Sequence, residues 1–255
     1  MTKTFDKQCL DGQTVLVTGA SSGLGRAAAL MLAQCGARLV VAGRNADRLQ
    51  ATLSSLPGPG HSMEIADLVE ADAVADWVRD VATRAGGLQG IFHAAGVELV
   101  RPMRLTKSAQ IDALFASSVT ASLGIARAAA QKNVLTDGAS LVFMSSVAGH
   151  RGTAGMVAYA AAKAAVDGLV RSLTCELAPR AIRVNALVCG AVVTEMHARL
   201  TATLGPEAVA DYERKHLLGF GRPDDVSQAT VFLLSPASRW ITGTTLVVDG
   251  GYMVR

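Results

Sequence analysis

The chain has 255 residues, of which 50% are hydrophobic, 18% are charged and only 4% are aromatic, and its formal net charge is +3. This length suits one domain with a large core, and the composition excludes a disordered or coiled-coil chain. The small, scattered charge argues against nucleic acid or an anionic membrane as a partner. Four widely separated cysteines, with no CxxC pair and no nearby histidine cluster, predict neither a metal site nor disulfides, so we expect a reducing, cytoplasmic compartment.

Membrane segments are not expected either. The residues up to Gln13 include no apolar stretch typical of a signal peptide. No uninterrupted apolar run reaches about 18 residues, the length needed to cross a bilayer, and Gln34 and Arg38 interrupt the best candidate. We therefore expect a soluble protein.

The first predicted strand (14–18) leads directly into a glycine-rich turn and then an alanine- and leucine-rich helix (26–35). Such a turn presents backbone N–H groups at a helix N-terminus, where an anionic phosphate binds favourably. Its glycines follow a GxxxGxG spacing, which by itself is equally compatible with a tight connection. Its place after the first strand of a doubly wound pattern favours a dinucleotide site. The turn comprises Gly19, Ala20, Ser21, Ser22, Gly23, Leu24 and Gly25.

The residues after the second predicted strand (38–42) indicate which dinucleotide binds. At this point an acidic side chain selects NAD by accepting hydrogen bonds from the adenosine ribose, whereas an arginine accommodates the 2′-phosphate of NADP. The chain has Gly43 and then Arg44, which favours NADP; the alternative is that Arg44 is a solvated loop charge. After a weaker third strand (61–66), Asp67 is suited either to the adenine amino group or to capping the next helix.

The fourth predicted strand (90–93) runs into three small residues, Ala94, Ala95 and Gly96. Residues of this size allow the backbone to approach a flat ligand closely. The sequence therefore predicts that the end of this strand also lines the cofactor site.

The stretch after the fifth strand places a tyrosine and a lysine on one face of a helix. Tyr159 and Lys163 are four residues, and therefore about one helical turn, apart. A nearby ammonium favours the phenolate, so we expect Lys163 to lower the pKa of Tyr159 from its usual value near 10 and to suit it to general acid–base catalysis. A serine at the facing strand end, Ser145 or Ser146, would hold the substrate oxygen. Taken alone, the Tyr–Lys spacing is more often an ordinary surface pair.

The C-terminal third of the chain completes an α/β pattern. A sixth strand (182–187) precedes residues 195–218, which are less apolar and are typical of a mobile two-helix flap over a substrate. A last buried strand (245–248) follows. Because strands alternate with helices throughout, we predict a single domain (1–255) with a parallel sheet built from βαβ units.

In this order, the motifs resemble the short-chain dehydrogenases/reductases, including the 3-oxoacyl-carrier-protein reductases. The resemblance covers nearly the whole chain. It rests on TGASSGLG (18–25), DL (67–68), AG (95–96), Ser146, YxxxK (159–163), RVNA (183–186), Thr194, GRPDDV (221–226), ITG (241–243) and VDGG (248–251). It implies a Rossmann-type doubly wound parallel sheet of about seven strands with helices on both faces. It also selects Ser146 over Ser145, because the family's serine precedes its tyrosine by thirteen residues.

The resemblance assigns roles in hydride transfer between a nicotinamide cofactor and a carbonyl. Ser146 would bind the carbonyl, Tyr159 would donate the proton, and Lys163 would hold the nicotinamide ribose and depress the tyrosine pKa. The other implied cofactor contacts are Gly19, Ser21, Ser22, Gly23, Leu24 and Gly25 at the pyrophosphate and adjoining ribose, Arg44 at the 2′-phosphate, Asp67 and Leu68 at the adenine, Ala94, Ala95 and Gly96 along the middle, and Gly190, Val192 and Thr194 at the nicotinamide carboxamide.

Three positions depart from the family pattern. In a predicted long helix (108–133), Ser118 lies one residue off the apolar stripe, where the family usually has an asparagine that helps hold a proton-relaying water. Serine is shorter and has no amide, which leaves the relay and a catalytic role for Ser118 open. His93 replaces an asparagine and is expected to be structural rather than a second acid. Cys189 replaces a proline, which loosens the turn after the sixth strand.

The resemblance leaves the substrate open. The candidates are a 3-oxoacyl thioester on an acyl carrier protein and a small carbonyl, polyol or sugar-derived ketone. Arg180 matches a basic position of some carrier-protein reductases. NADP is the expected cofactor, with NAD less favoured, and a homotetramer packed through the helices of Ser118 and Tyr159 is the expected assembly. The competing class is a non-catalytic NADP-binding regulator, against which the intact Ser146, Tyr159 and Lys163 argue.

Overall fold

A computed structural model of the chain describes residues 5–202 and 204–255, so residues 1–4 of the predicted domain and Thr203 of the predicted flap lie outside the described residues. Its strands are β1 (Thr14–Thr18), β2 (Arg38–Gly43), β3 (Ser62–Ile65), β4 (Leu88–His93), β5 (Leu135–Ser146), β6 (Arg183–Cys189) and β7 (Thr245–Val248). They form one parallel sheet in the order β3–β2–β1–β4–β5–β6–β7. This confirms the predicted doubly wound fold, and the order reverses between β1 and β4, where such sheets open a ligand crevice.

Helices cover both faces of the sheet. They are α1 (Gly23–Gln34), α2 (Ala46–Ser55), α3 (Ala71–Ala85), α4 (Ser108–Phe115), α5 (Ala121–Ala130), α6 (Val157–Leu177), α7 (Glu195–Thr201), α8 (Pro206–Arg214) and α9 (Pro223–Leu234). Helices α1, α2 and α9 enclose one hydrophobic core with the sheet, and α3, α5 and α6 enclose the other.

The central strands are apolar because both of their faces are covered. Every residue of β1 and of β6 is buried, as expected for parallel strands between two helical layers. Side chains alternate between the layers, so that Val15 and Val17 join the core beneath α1, whereas Leu16 joins the core beneath α3.

The predicted long helix is not a regular α-helix. A π-helical turn, Ala116–Thr120, separates α4 from α5, and α5 ends at Ala130 rather than at residue 133. A π turn inserts extra backbone and changes which side chains face inward. Ser118, one residue off the α-helical stripe, is therefore buried at 2% exposure. The stretch Ser108–Ala130 is long and apolar enough to cross a membrane, but half of its most apolar part is buried inside the protein. Polar residues interrupt this stretch, so it contains no long uninterrupted apolar run.

Two strand predictions need correction. Strand β7 was predicted to be buried, but it lies at the edge of the sheet and Val247 is 44% exposed. Strand β6 continues past residue 187, so Cys189 belongs to a buried strand rather than to the following turn.

Candidate active site

The carboxyl ends of four neighbouring strands bring the predicted site segments together. Thr18 pairs with His93 at the ends of β1 and β4, so the glycine-rich turn and the segment 94–96 emerge side by side. Ser146 pairs with Cys189 at the ends of β5 and β6. The crevice at this edge of the sheet is the position where doubly wound proteins bind ligands.

Steric contacts explain the glycines of the turn. Gly19 has a φ of +69°, and a Cβ on it would lie 2.7 Å from the amide nitrogen of Ala95. A Cβ on Gly25 would lie 2.3 Å from the carbonyl oxygen of Gly19. Both approaches are too close for any side chain, and they hold the turn tightly against the end of β4.

The start of α1 has the features needed to hold a phosphate. Ser22 is the N-cap residue, but its side chain makes no capping hydrogen bond, and the first turn contains no acidic residue. The backbone N–H groups of this turn are thus available to an anion. The opposite wall is the segment after β6, because Thr194 and Glu195 have atoms 3.8 Å and 3.7 Å from the position of a Cβ on Gly23. A dinucleotide pyrophosphate fits this turn.

Arg44 and Asp67 lie together at the other end of the crevice, after β2 and β3. Arg44 Nη1 is 3.9 Å from Asp67 Oδ1, and the two side chains are 69% and 61% exposed. The N-cap of α3 is Glu70, so the alternative that Asp67 caps this helix was wrong. Leu68, which follows, is buried against the core. Both polar side chains are accessible to a ligand.

Ser146, Tyr159 and Lys163 converge where β5 ends and α6 begins. Ser146 Oγ accepts a hydrogen bond from the N–H of Ala148 at 3.2 Å. Lys163 Nζ donates to the carbonyl oxygen of Met144 at 2.9 Å and lies 5.6 Å from the centre of the Tyr159 ring. The neighbouring Ser145 is buried, and its hydroxyl is turned toward the backbone of α6.

The expected pKa of the tyrosine was wrong. Burial raises the pKa of Tyr159 to about 12, although the nearby Ser146 hydroxyl acts in the opposite direction. Part of the Tyr159 side chain is exposed in the crevice wall, but protein surrounds the rest of it closely. Lys163 does not offset this burial, because its ammonium is bonded to a carbonyl and burial lowers the pKa of Lys163 itself to about 8.

Ser118 lies beside the lysine. The position of a Cβ on Gly96 is 3.8 Å from Lys163 Nζ and 3.9 Å from Ser118 Oγ, so the two polar atoms border the same space. Among the described residues, Ser118 Oγ has no hydrogen-bond partner although it is buried. Such an atom is costly unless it serves a ligand or an ordered water.

His93 lies in the sheet near this group. Its Nδ1 is 2.8 Å from Thr18 Oγ1, and its ring meets the edge of Phe143. Burial, with a further contribution from Lys163, lowers the pKa of His93 to about 3. The ring is therefore neutral at physiological pH, which supports the structural interpretation over a second acid.

The loop after β6 is packed as tightly as the glycine-rich turn. A Cβ on Gly190 would lie 2.9 Å from the Cα of Asp249, so only glycine fits. Val192 is buried and forms a β-bridge with Gly221, and Thr194 caps α7 by accepting a hydrogen bond from the N–H of His197. The three predicted contacts Gly190, Val192 and Thr194 thus share one loop.

Sequence reasoning missed two contacts that fasten the flap region to the crevice. Arg199 of α7 pairs with Glu98 at 3.2 Å, and His216 accepts a hydrogen bond from the N–H of Ala191 at 3.1 Å. The partners are 101 and 25 residues apart in the chain. No local spacing could have indicated either pair.

Known proteins resemble this chain over nearly its full length. A family model described as enoyl-(acyl carrier protein) reductase matches residues 19–253. Carbonyl reductase family member 4 from Danio rerio is 37% identical and covers 92% of this chain and 96% of its own. D-threitol dehydrogenase from Mycolicibacterium smegmatis is 33% identical, with 96% and 95% covered. A 3-oxoacyl-(acyl-carrier-protein) reductase from Thermotoga maritima is 30% identical, with 96% and 99% covered.

A solved structure also resembles this chain over nearly its full length. A short chain dehydrogenase from Burkholderia cenocepacia in complex with NADP is 33% identical to this chain and has a TM-score of 0.87. The match covers 96% of this chain and 99% of that one. With the sheet order, the glycine-rich turn and the Tyr–Lys helix described above, these matches show that the chain belongs to the short-chain dehydrogenase/reductase family of oxidoreductases, which use NAD or NADP.

Proposed function

We propose that the protein is an NADP-dependent oxidoreductase that interconverts a ketone and a secondary alcohol, with Tyr159 as general acid and base. The observation that carries this proposal is the convergence of Ser146, Tyr159 and Lys163 at the end of β5, beside a turn that fits a pyrophosphate. The group combines a hydroxyl that can orient a carbonyl, a phenol that can give it a proton, and a buried ammonium.

The chemistry of this group follows from its protonation states. When bound, NADPH would supply the hydride. Ser146 would donate a hydrogen bond to the carbonyl oxygen, and Tyr159 would transfer its phenolic proton to that oxygen. Because burial holds the pKa of Tyr159 at about 12, the phenol is protonated throughout neutral pH, as reduction of a ketone requires. In the reverse direction the phenolate would accept the alcohol proton.

Lys163 and Ser118 would complete the proton supply. A pKa lowered to about 8 by burial leaves Lys163 mostly protonated at neutral pH but able to give up a proton. Ser118 would act with it, because its hydroxyl, which has no hydrogen-bond partner in the described part of the chain, borders the same space beside Gly96.

The cofactor-binding residues are proposed from their places around the crevice. Lys163 would hold the nicotinamide ribose beside Tyr159. The remaining set comprises Gly19, Ser21, Ser22, Gly23, Leu24 and Gly25 in the turn, Arg44, Asp67 and Leu68 at the adenosine end, Ala94, Ala95 and Gly96 along the middle, and Gly190, Val192 and Thr194 at the nicotinamide end. The free N-cap of α1 supports the pyrophosphate position.

NADP is proposed over NAD because of Arg44. This guanidinium is exposed at the end of β2, where Gly43 replaces an acidic side chain. Its 3.9 Å pair with Asp67 is solvent-exposed and therefore weak, so Arg44 is free to turn toward a phosphate. The NADP complex of the Burkholderia cenocepacia dehydrogenase is consistent with this choice.

Two substrate classes have support among the relatives, a 3-oxoacyl thioester and a small carbonyl or polyol. The thioester proposal with a carrier-protein partner loses the support of Arg180. Its guanidinium donates to Asp137 Oδ1 at 2.9 Å and to the carbonyl of Leu135, at the end of β5 opposite to Ser146. We therefore keep a ketone as the substrate, with a small sugar-derived or polyol alcohol as the second candidate.

The compartment, the domain arrangement and the assembly are proposed as follows. We propose a cytoplasmic, single-domain protein (1–255) in which residues 195–218 form a substrate flap, since α7 and α8 have no buried residues of their own. A homotetramer is proposed because α6 exposes Ala161 and Ala164, small residues that permit close helix contact. The helix α5 adds no such face, because its alanines at 121, 126, 128 and 129 are buried in the protein's own core.

Replacing Tyr159 by Phe tests the function. NADPH oxidation is followed against a broad panel of ketones, with NADH as the comparison cofactor. The wild type should reduce at least one ketone with a preference for NADPH. Tyr159→Phe should lower kcat/KM by roughly 10²–10⁴-fold, the usual contribution of a positioned acid, while NADPH still binds. If the wild type binds NADPH but reduces no ketone, the non-catalytic regulator becomes the better description.

A further inference from the structure

His216 belongs to the flap region and contacts the loop after β6 through the N–H of Ala191. It follows α8 and is 2% exposed. Its ring stacks on Tyr252 near the C-terminus, with centroids 4.6 Å apart, and meets the edges of Tyr212 and Phe220 at 5.3 and 5.5 Å. Aromatic contacts from three segments thus fix the plane of the imidazole.

Both ring nitrogens are hydrogen-bonded to backbone. The N–H of Ala191 lies 3.1 Å from Nε2, and the carbonyl oxygen of Tyr212 lies 3.2 Å from Nδ1. A backbone N–H can only donate and a carbonyl can only accept, so Nε2 must be the acceptor and Nδ1 must carry the proton. The geometry therefore requires a neutral imidazole in a single tautomer.

The bond to Ala191 acts on the loop between Gly190 and Thr194. The N–H of Gly190 donates to β7 and the N–H of Val193 donates to Gly221, both through backbone bonds. The amide of Ala191 differs because a side chain from the flap region accepts its hydrogen bond. The position of the loop is thereby tied to the position of His216.

We infer that His216 is a positioning residue, which holds the 190–194 loop in its ligand-binding conformation by accepting the Ala191 N–H. The inference rests on the proposed function for what the loop binds, namely the nicotinamide carboxamide. Both ring nitrogens of His216 are bonded to backbone, so the side chain acts indirectly. It acts through Ala191, and it couples the flap to the nicotinamide end of the crevice.

Protonation would break this bond, because a charged imidazole places an N–H on Nε2 opposite the N–H of Ala191. Burial, as the largest effect, lowers the pKa of His216, whereas the hydrogen bond to the Tyr212 carbonyl and the nearby charges of Asp249 and Glu213 favour the charged ring. The charge on His216 acts in turn on His197 of α7, and Arg151 lies over the Tyr252 ring on which His216 stacks. The bond should therefore persist at neutral pH and fail in acid.

The test measures amide hydrogen exchange of residue 191 in the cofactor-free protein and, separately, NADPH affinity. His216→Leu removes the acceptor, whereas His216→Gln supplies a carbonyl oxygen near the Nε2 position that does not titrate. His61→Leu is the matched control, because His61 also bonds a backbone N–H and a carbonyl, those of Leu39 and Pro57, at a distant sheet edge.

We expect His216→Leu to speed exchange at residue 191 roughly tenfold at pH 7, as for a buried amide that loses its partner, and to weaken NADPH binding. His216→Gln should restore both at pH 7. In the wild type, exchange corrected for its intrinsic pH dependence should quicken below the His216 pKa, and His216→Gln should abolish this acid response. His61→Leu should change none of these.

Two results would overturn the inference. One is unchanged exchange at residue 191 in His216→Leu, and the other is an acid response in His216→Gln as large as in the wild type. If exchange changes as expected but the wild type binds no NADPH, the proposed function fails, while the hold of His216 on the loop stands.

Discussion

The glycine-rich turn (19–25) and the flap region (195–218) lie on opposite walls of the same crevice, yet they are held in different ways. The turn is fixed by close backbone packing, with Gly25 against Gly19 and Gly19 against Ala95. The flap helices α7 and α8 bury none of their residues and are fastened by side chains from distant parts of the chain. The comparison teaches that the phosphate end depends on glycines, which a sequence shows directly, whereas the substrate end depends on side-chain contacts between separate segments, which a sequence conceals.

Adding one methyl group to each region should give opposite results. The Cβ of Gly25→Ala would meet the Gly19 carbonyl at 2.3 Å, whereas the Cβ of Gly205→Ala, in the flap region, would meet nothing within 4 Å among residues 5–202 and 204–255. Gly205 also has an ordinary φ of −68°. Gly25→Ala should lower the free energy of unfolding by about 2–4 kcal/mol. Gly205→Ala should lower it by less than about 1 kcal/mol, because Gly205 is the N-cap of α8, where alanine is disfavoured. Urea unfolding measures both, and equal losses would remove the distinction between the regions.

At the adenosine end of the crevice, Arg44→Ala should change cofactor choice rather than stability. Loss of a charge-assisted contact with the 2′-phosphate should raise the KM for NADPH by roughly 10–100-fold and leave the KM for NADH nearly unchanged. Arg48→Ala is the control, because Arg48 is an exposed arginine on the adjacent helix α2. A parallel loss with both cofactors would show that Arg44 does not read the phosphate.

The buried charge of Lys163 should lower the free energy of unfolding of the protein. Its pKa falls from 10.5 to about 8 through burial, so between these values the unfolded chain binds more protons than the native state, and stability rises with pH. Below pH 8 the cost is present in full. Lys163→Met should therefore be more stable than the wild type by about 1–2 kcal/mol at pH 7, after the lost bond to Met144 is counted.

This difference should shrink as the pH rises from 8 toward 10.5. Thermal unfolding of both proteins across that range measures it, alongside loss of ketone reduction by the variant. A constant difference, or a less stable variant at pH 7, would mean that Lys163 is not penalised by its burial.

Much of the fold was predictable because its signals are local. The buried runs 15–17 of β1 and 39–42 of β2 are apolar on both faces, and Gly19, Gly25 and Gly190 mark close backbone approaches at the crevice. The π turn at 116–120 was not predictable, because the pattern of apolar side chains along one sequence does not show where a helix gains an extra backbone residue. Strand β7 looked buried because its composition is apolar, but composition does not show that it is an edge.

The candidate site, too, was predictable only where its signals are local. The spacing of Tyr159 and Lys163 correctly placed both residues on one helix, but the predicted direction of the Tyr159 pKa was wrong because burial outweighs the ammonium. Burial is a property of the whole fold. For the same reason no sequence pattern indicates His216, whose bond to Ala191 exists only after two segments have met.

The smallest effect expected concerns the ion pair at the flap. Arg199 and Glu98 are 3.2 Å apart, with Arg199 62% exposed, and exposed pairs contribute less than about 1 kcal/mol. Arg199→Gln should therefore raise the KM of the best ketone by about two- to threefold and leave kcat nearly unchanged. Arg214→Gln, which removes a pair within α8 to Asp211, should leave the KM unaltered. High salt should reproduce the Arg199→Gln effect in the wild type and add nothing in the variant, because screening and deletion remove the same attraction; an equal salt effect in both proteins would show that this pair does not hold the flap.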